Sequence, residues 1–351
     1  MWVNCIAIAM LVGWVTPTFA GDPPRDEHSI VFKLQPLDAK LESPVVTAMT
    51  LSPDRQWLAV SGDDHAIRMI RLQDCTTQAT LLGHSDWVRS IEFSRDGKWL
   101  ASVGNDGELR VWSTDSISDQ TQGRVLTKEE HALTMVAFHP DSDRLFIAGF
   151  HTEIECWSLH SGRKLWSVTS STNDNRALRI SPNGELLAWG GRDGIVHVYD
   201  VNEKAFVMQK PLHRDRIRSV EFSIDSTRIL SIGEDRKFCR YDLPADVLTL
   251  EKQMQTGKLM SMAIVDLITT AIGGSDNLIH FHTLVDNREL GAIAGHRGTI
   301  SILCCDDDHL VSSGYDTTIR VWNWKDIWET IETSPAPPEL SARPTIDATV
   351  R

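Results

Sequence analysis

The chain has 351 residues, 41% of them hydrophobic, with 48 Asp and Glu against 35 Lys and Arg and a formal net charge of −13. That suits one large soluble domain with a sizeable core. The acidic balance excludes general nucleic-acid binding, which needs a dense cationic footprint. No apolar run reaches the length of about 18 residues that a membrane-crossing helix needs.

The first twenty residues differ from the rest. An eleven-residue apolar stretch, CIAIAMLVGWV (5–15), is followed by TPTFA, with the small residues Thr18 and Ala20 before Gly21. This reads as a secretory signal peptide over 1–20, cleaved after Ala20, and predicts a secreted or periplasmic protein. The alternative is an uncleaved apolar N-terminus on a cytoplasmic protein. Residues 21–27 form a linker. HSIVFKL (28–34) is a strand with no partner of its own.

From there the chain is periodic. Asp64, Asp106, Asp193, Asp235, Asp276 and Asp316 are each followed six residues later by Ile70, Trp112, Tyr199, Tyr241, His282 and Trp322. A further unit fits between the second and third of these, with His151 in the Asp position and Trp157 closing it. The seven anchors are 42, 45, 42, 42, 41 and 40 residues apart, and a period near forty marks a repeat architecture.

The clearest unit runs from Gly83 to Trp112. WVRSIEF alternates and is rich in β-branched and aromatic residues; SRDG supplies turn chemistry; KWLASV is an apolar strand; GNDG turns again into ELRVW. A fourth strand precedes the next unit, as in CTTQATLLGH before His84. Four short antiparallel strands cannot bury both faces alone, so such sheets must stack.

Gly-His at 83–84 and 295–296, Asp at the second turn, and Trp112 and Trp322 closing the third strand resemble the WD-repeat family of β-propellers. The resemblance covers roughly residues 28–324, with strong motifs in units two, five and seven and weaker ones in the others. It implies an all-β, seven-bladed propeller over 28–332. The seventh unit supplies three strands and 28–34 is unassigned, so the N-terminal strand is expected to complete the last blade. KDIWETIE (325–332) has helical spacing. The Pro-rich 333–351 reads as a disordered tail.

His84, Ser102, Asp106 and Trp112 are spaced 18, 4 and 6, as are His213, Ser231, Asp235 and Tyr241; His296, Ser312, Asp316 and Trp322 are spaced 16, 4 and 6. Recurring Ser, His and Asp invite a hydrolase reading, but no nucleophile elbow accompanies them. The resemblance implies instead a structural relay in which Trp donates to Ser, Ser to His and His to Asp. Tyr241 lacks the indole N–H, and Glu129 and Ser171 stand in the His position of units three and four.

No cofactor fingerprint is present, and neither cofactor nor metal is expected. His280 and His282 share a strand face, but the sequence reveals no third ligand. Cys75, Cys156, Cys239, Cys304 and Cys305 are too sparse for a disulfide framework.

As a member of that family the chain would be a non-enzymatic interaction platform, monomeric alone. Partners of the family dock on the face bearing the loops before each first strand and between the second and third. Aligned to that face are Trp87, Arg89 and Asn105 in unit two, with Phe150 and Tyr315 matching Asn105 in units three and seven. Asp174, Arg176 and Arg192 lie there in unit four, and Arg216, Arg218 and Glu234 in unit five. The Arg forks suit carboxylates and the aromatics suit anchoring, so the expected partner is an acidic peptide or protein segment. The alternatives are local pairing of these Arg with Asp174, Asp215 and Glu234, a regulatory propeller associated with an effector, and an enzyme or small-ligand binder using the central channel.

Overall fold

Six of the seven repeats each fold as one four-stranded antiparallel sheet, and the seventh supplies three strands of a five-stranded one. The computed structural model describes residues 25, 26 and 29–333, apart from 116, 120, 255, 256 and 287. The expected signal segment and nearly all of the Pro-rich tail lie outside these residues. In blade two the strands are Val88–Phe93, Trp99–Gly104, Glu108–Ser113 and Arg124–Lys128. The seven blades follow chain order, and their first strands pack against one another around the ring.

The turn between first and second strands recurs with its chemistry. Ser94 donates to Asp96 at 2.6 Å and accepts from the Trp99 N–H at 3.0 Å. Ser181 donates to Asn183 at 2.6 Å and accepts from Leu186 N–H at 2.9 Å. The residue after Asp96 must adopt φ of 71°, which is why Gly97 stands there. Gly107, with φ of 75°, meets a harder limit, because a Cβ would lie 2.2 Å from the Glu129 carbonyl.

The ring closes as the resemblance implied. Ser29–Lys33 pairs antiparallel with Thr318–Asn323, in register from Ser29 opposite Trp322 to Lys33 opposite Thr318. The last blade therefore holds Ile300–Cys305, His309–Gly314, Thr318–Asn323 and Ser29–Lys33, extended by the two-residue strand Arg25–Asp26. Ile30 and Phe32 pack into the apolar cluster of Val46, Leu58, Val311 and Ile319 that joins last blade to first. Closure hides an edge that would otherwise recruit another chain.

The helix Trp324–Thr333 packs on blade six, with Trp328 edge-on to Phe281 at 5.5 Å. Among the described residues no helix is long and apolar enough to cross a membrane. The five described cysteines form no disulfide.

Candidate partner-binding face

The relay residues meet in three blades. Trp112 Nε1 donates to Ser102 Oγ at 2.9 Å, Ser102 lies 2.8 Å from His84 Nε2, and His84 Nδ1 is 2.9 Å from Asp106. Trp322, Ser312, His296 and Asp316 make the same chain at 2.9, 2.8 and 3.2 Å. In blade five His213 joins Ser231 at 2.8 Å and Asp235 at 3.0 Å, but the Tyr241 hydroxyl donates to Asp246 at 2.6 Å instead. The Ser hydroxyls of the relays are fully buried and spent on fastening, so they offer no nucleophile.

Blade four solves the same problem with different residues. Trp189 occupies the position of the relay Ser and donates to Ser170 Oγ at 3.0 Å, while Ser170 donates to Asn175 at 2.9 Å. Ser171 bonds Asp193 and His197. In blade three Trp157 donates to Glu155 at 2.7 Å and enters no relay.

The face itself is organised by a bulge. In every blade the first strand slips register between its first and third residues, leaving its second residue unpaired. A bulge re-aims the extra residue. All seven such residues line the central channel, which encloses about 870 Å³. They are Arg89, Arg176 and Arg218 on blades two, four and five, and Thr47, Thr134, Met260 and Ser301 on the rest. Trp87 and Tyr315, 41% and 56% exposed, complete the lining at this mouth.

Five of the eleven residues that the sequence aligned to this face thus share one cavity: Trp87, Arg89, Arg176, Arg218 and Tyr315. Asn105, Phe150, Arg192 and Arg216 do not line it. Asn105 accepts from Arg89 Nε at 2.8 Å, and the Phe150 ring lies 4.5 Å from the Arg176 guanidinium. Arg192 is exposed and makes no ion pair among the described residues.

Local pairing neutralises these cations unevenly. Arg216 reaches Asp174 at 2.9 Å and Glu234 at 3.1 Å, bridging blades four and five. Arg176 pairs with Asp174, whereas Arg218 is 3.6 Å from Glu234. Asp215 pairs with none of them; its carboxylate caps the Arg216 N–H at 2.7 Å. No carboxylate lies within ion-pair distance of Arg89 among the described residues. Burial first, then repulsion from Arg176, holds the Arg89 guanidinium below the usual arginine range, and burial does the same to Arg218. Such crowded cations gain from an incoming anion.

Below this rim Glu92 and Arg179 line the channel, and Arg179 Nε donates to Glu221 at 2.9 Å. Burial pushes the Glu92 carboxyl up to about 7. The sequence offered no third ligand near His280 and His282, but the fold brings Glu289 to them, with the donor atoms of all three within 4.8 Å of one another.

The family model described as the IFT122 first beta-propeller matches residues 45–323. This chain belongs to that family of WD-repeat propellers. The propeller is 22% identical to Periodic tryptophan protein 2 of Saccharomyces cerevisiae, over 79% of this chain and 38% of that protein. It is 21% identical to a WD repeat-containing protein 91 homolog of Dictyostelium discoideum, over 75% of this chain and 36% of the relative. A third relative, target of rapamycin complex subunit wat1 of Schizosaccharomyces pombe, is 25% identical over 44% of this chain and 48% of its own length. The chain spans little more than a third of the length of the first two. WD-repeat propellers serve generally as protein-interaction scaffolds and are typically non-enzymatic.

Proposed function

We infer that this propeller is a non-enzymatic scaffold that captures an acidic segment of a partner protein at the channel mouth. The observation that carries this is the bulge ring, in which three of seven inward positions are Arg, flanked by the exposed aromatics Trp87 and Tyr315. Planar guanidinium forks grip carboxylates in pairs, and exposed aromatics add apolar area at little entropic cost. Arg216 has its charge satisfied by Asp174 and Glu234, so its role is to brace the rim while Arg89, Arg176 and Arg218 meet the ligand. One relative is titled a subunit of a complex, in keeping with a scaffold.

The test is affinity capture with the chain 21–351 beside a variant carrying Trp87→Ala, Arg176→Glu and Arg218→Glu. A stoichiometric companion held by the first and lost by the second supports the reading. A companion held equally by both places the docking site elsewhere and contradicts it.

Residues 1–20 are proposed to export the propeller to the bacterial envelope, where it is monomeric until it meets its partner. Mass spectrometry of the purified protein should find Gly21 as the first residue. An intact Met1 on protein from the cytoplasmic fraction contradicts this.

A further inference from the structure

Blade six has discarded the relay that fastens blades two and seven. Ile272 stands four residues before Asp276, where the relay Ser would be, and His282 stands six after it, in the Trp position. Yet the blade concentrates chemistry on one sheet face. His280 and His282 alternate along Leu278–Thr283 and so point the same way. Both are nearly inaccessible, at 7% and 1% exposure.

The neighbouring strand Glu289–Ala294 adds a carboxylate by a specific device. It pairs His280 with Ala292 and Phe281 with Gly291, then slips by one residue, so that Glu289 rather than Leu290 stands opposite His282. Directly opposed residues share a face. The same slip in blades one, three, four and five sets Thr77, Lys164, Phe206 and Leu248 opposite Ile70, Trp157, Tyr199 and Tyr241. In blade six it joins a histidine to a glutamate.

We propose that His280, His282 and Glu289 form a binding site for a zinc-class divalent transition metal that staples the third and fourth strands of blade six. Two imidazoles and one carboxylate are the donor types such ions prefer, and three protein ligands leave a fourth position for water. The three donor atoms lie within 4.8 Å of one another. A tetrahedral site with bonds of about 2.0–2.1 Å brings donors to roughly 3.4 Å, so modest side-chain rotation closes the site. Glu289 is the partner free to make it, its side chain being 37% exposed.

The orienting group is also present. Asp276 Oδ2 lies 2.7 Å from His280 Nε2, which fixes the ring and leaves Nδ1 facing Glu289 at 2.9 Å. A carboxylate on the far nitrogen of a ligating histidine sets its tautomer and raises its basicity. The other convergent cluster, His84 with Asp106 and Glu108, offers no such site, because both His84 nitrogens serve the relay.

The test is zinc binding by the purified chain after dialysis against a chelator, titrated with zinc chloride in competition with a chromophoric chelator. One equivalent should bind, and zinc should raise the melting temperature. Glu289→Gln, at a partly exposed position, should weaken binding at least tenfold while leaving the zinc-free melting temperature near wild type. Asp276→Asn should weaken it about 10–100-fold, as loss of an outer carboxylate does. His131→Gln with His151→Gln, a second histidine pair with ring centroids 6.5 Å apart, should change nothing. No zinc uptake by the folded wild type, uptake undiminished by Glu289→Gln, or uptake lost with the His131 and His151 changes would overturn the proposal.

Discussion

Arg320 donates from Nη1 to the Ser29 hydroxyl at 3.1 Å, although the two residues stand 291 positions apart. That bond lies in the pairing of Ser29–Lys33 with Thr318–Asn323, the clasp on which the ring depends. Removing residues 1–35 should leave Thr318–Asn323 as an open edge and expose the apolar surface that Ile30 and Phe32 cover. The truncated chain should scatter light and melt lower than the full chain. Unchanged solubility and melting would show that the clasp contributes little.

The relays should be costly to break where indole is the donor. Trp112 and Trp322 are buried, and replacing either by Ala should destabilise the fold by about 3–5 kcal/mol through lost packing. Trp112→Phe keeps much of the volume and removes the bond to Ser102, so it should cost about 1–3 kcal/mol. Tyr241→Phe removes hydrogen bonding to the exposed Asp246 and Lys210 side chains and should cost under about 1 kcal/mol. Urea unfolding of the four variants checks the order; equal losses for Trp112→Phe and Tyr241→Phe would contradict it.

Acid stability follows from the relay carboxylates. Burial alone would raise Asp106 and Asp235, but hydrogen bonds from His84 and His213 and from backbone N–H groups hold both below the usual carboxylate range. Asp316, bonded by Thr318 and the Arg297 N–H, is also held low. A carboxylate depressed in the native state is protonated first in the unfolded chain. Its contribution is complete above about pH 4 and is lost as pH falls below that. Asp106→Asn should therefore flatten the loss of stability as pH falls below about 4, read from urea midpoints across a pH series. Parallel curves for variant and wild type would contradict the assignment.

Much of this was legible before any coordinates. The forty-residue period, the Asp and Trp anchors and the spare strand at 28–34 are local signals, and they specify blade number and closure because each repeat must bury its faces on its neighbours. Position in the repeat also located Arg89, Arg176 and Arg218. Why these three face inward and Arg192 and Arg216 do not was hidden, because it depends on a register slip that pairing alone reveals. The approach of Glu289 to His282 was hidden for the same reason. Trp189 escaped notice because it lies on a second strand, where the pattern has Ser.

Trp87 offers a test that separates the proposed docking role from a role in folding. It is 41% exposed, and its ring lies 5.1 Å from the Arg89 guanidinium, a contact of about 0.5–1 kcal/mol at an exposed site. Trp87→Ala should leave the melting temperature nearly unchanged while weakening partner capture. A large fall in melting temperature would make Trp87 a core residue and remove it from the docking face.

The most direct test of the channel mouth as an acid-binding site is the fluorescence anisotropy of a labelled Glu- and Asp-rich peptide titrated with the wild type and with the Arg176→Glu, Arg218→Glu variant. Binding by the wild type that weakens with salt and falls at least tenfold in the variant is the expected result. Equal binding by both proteins, or none by either, would contradict it.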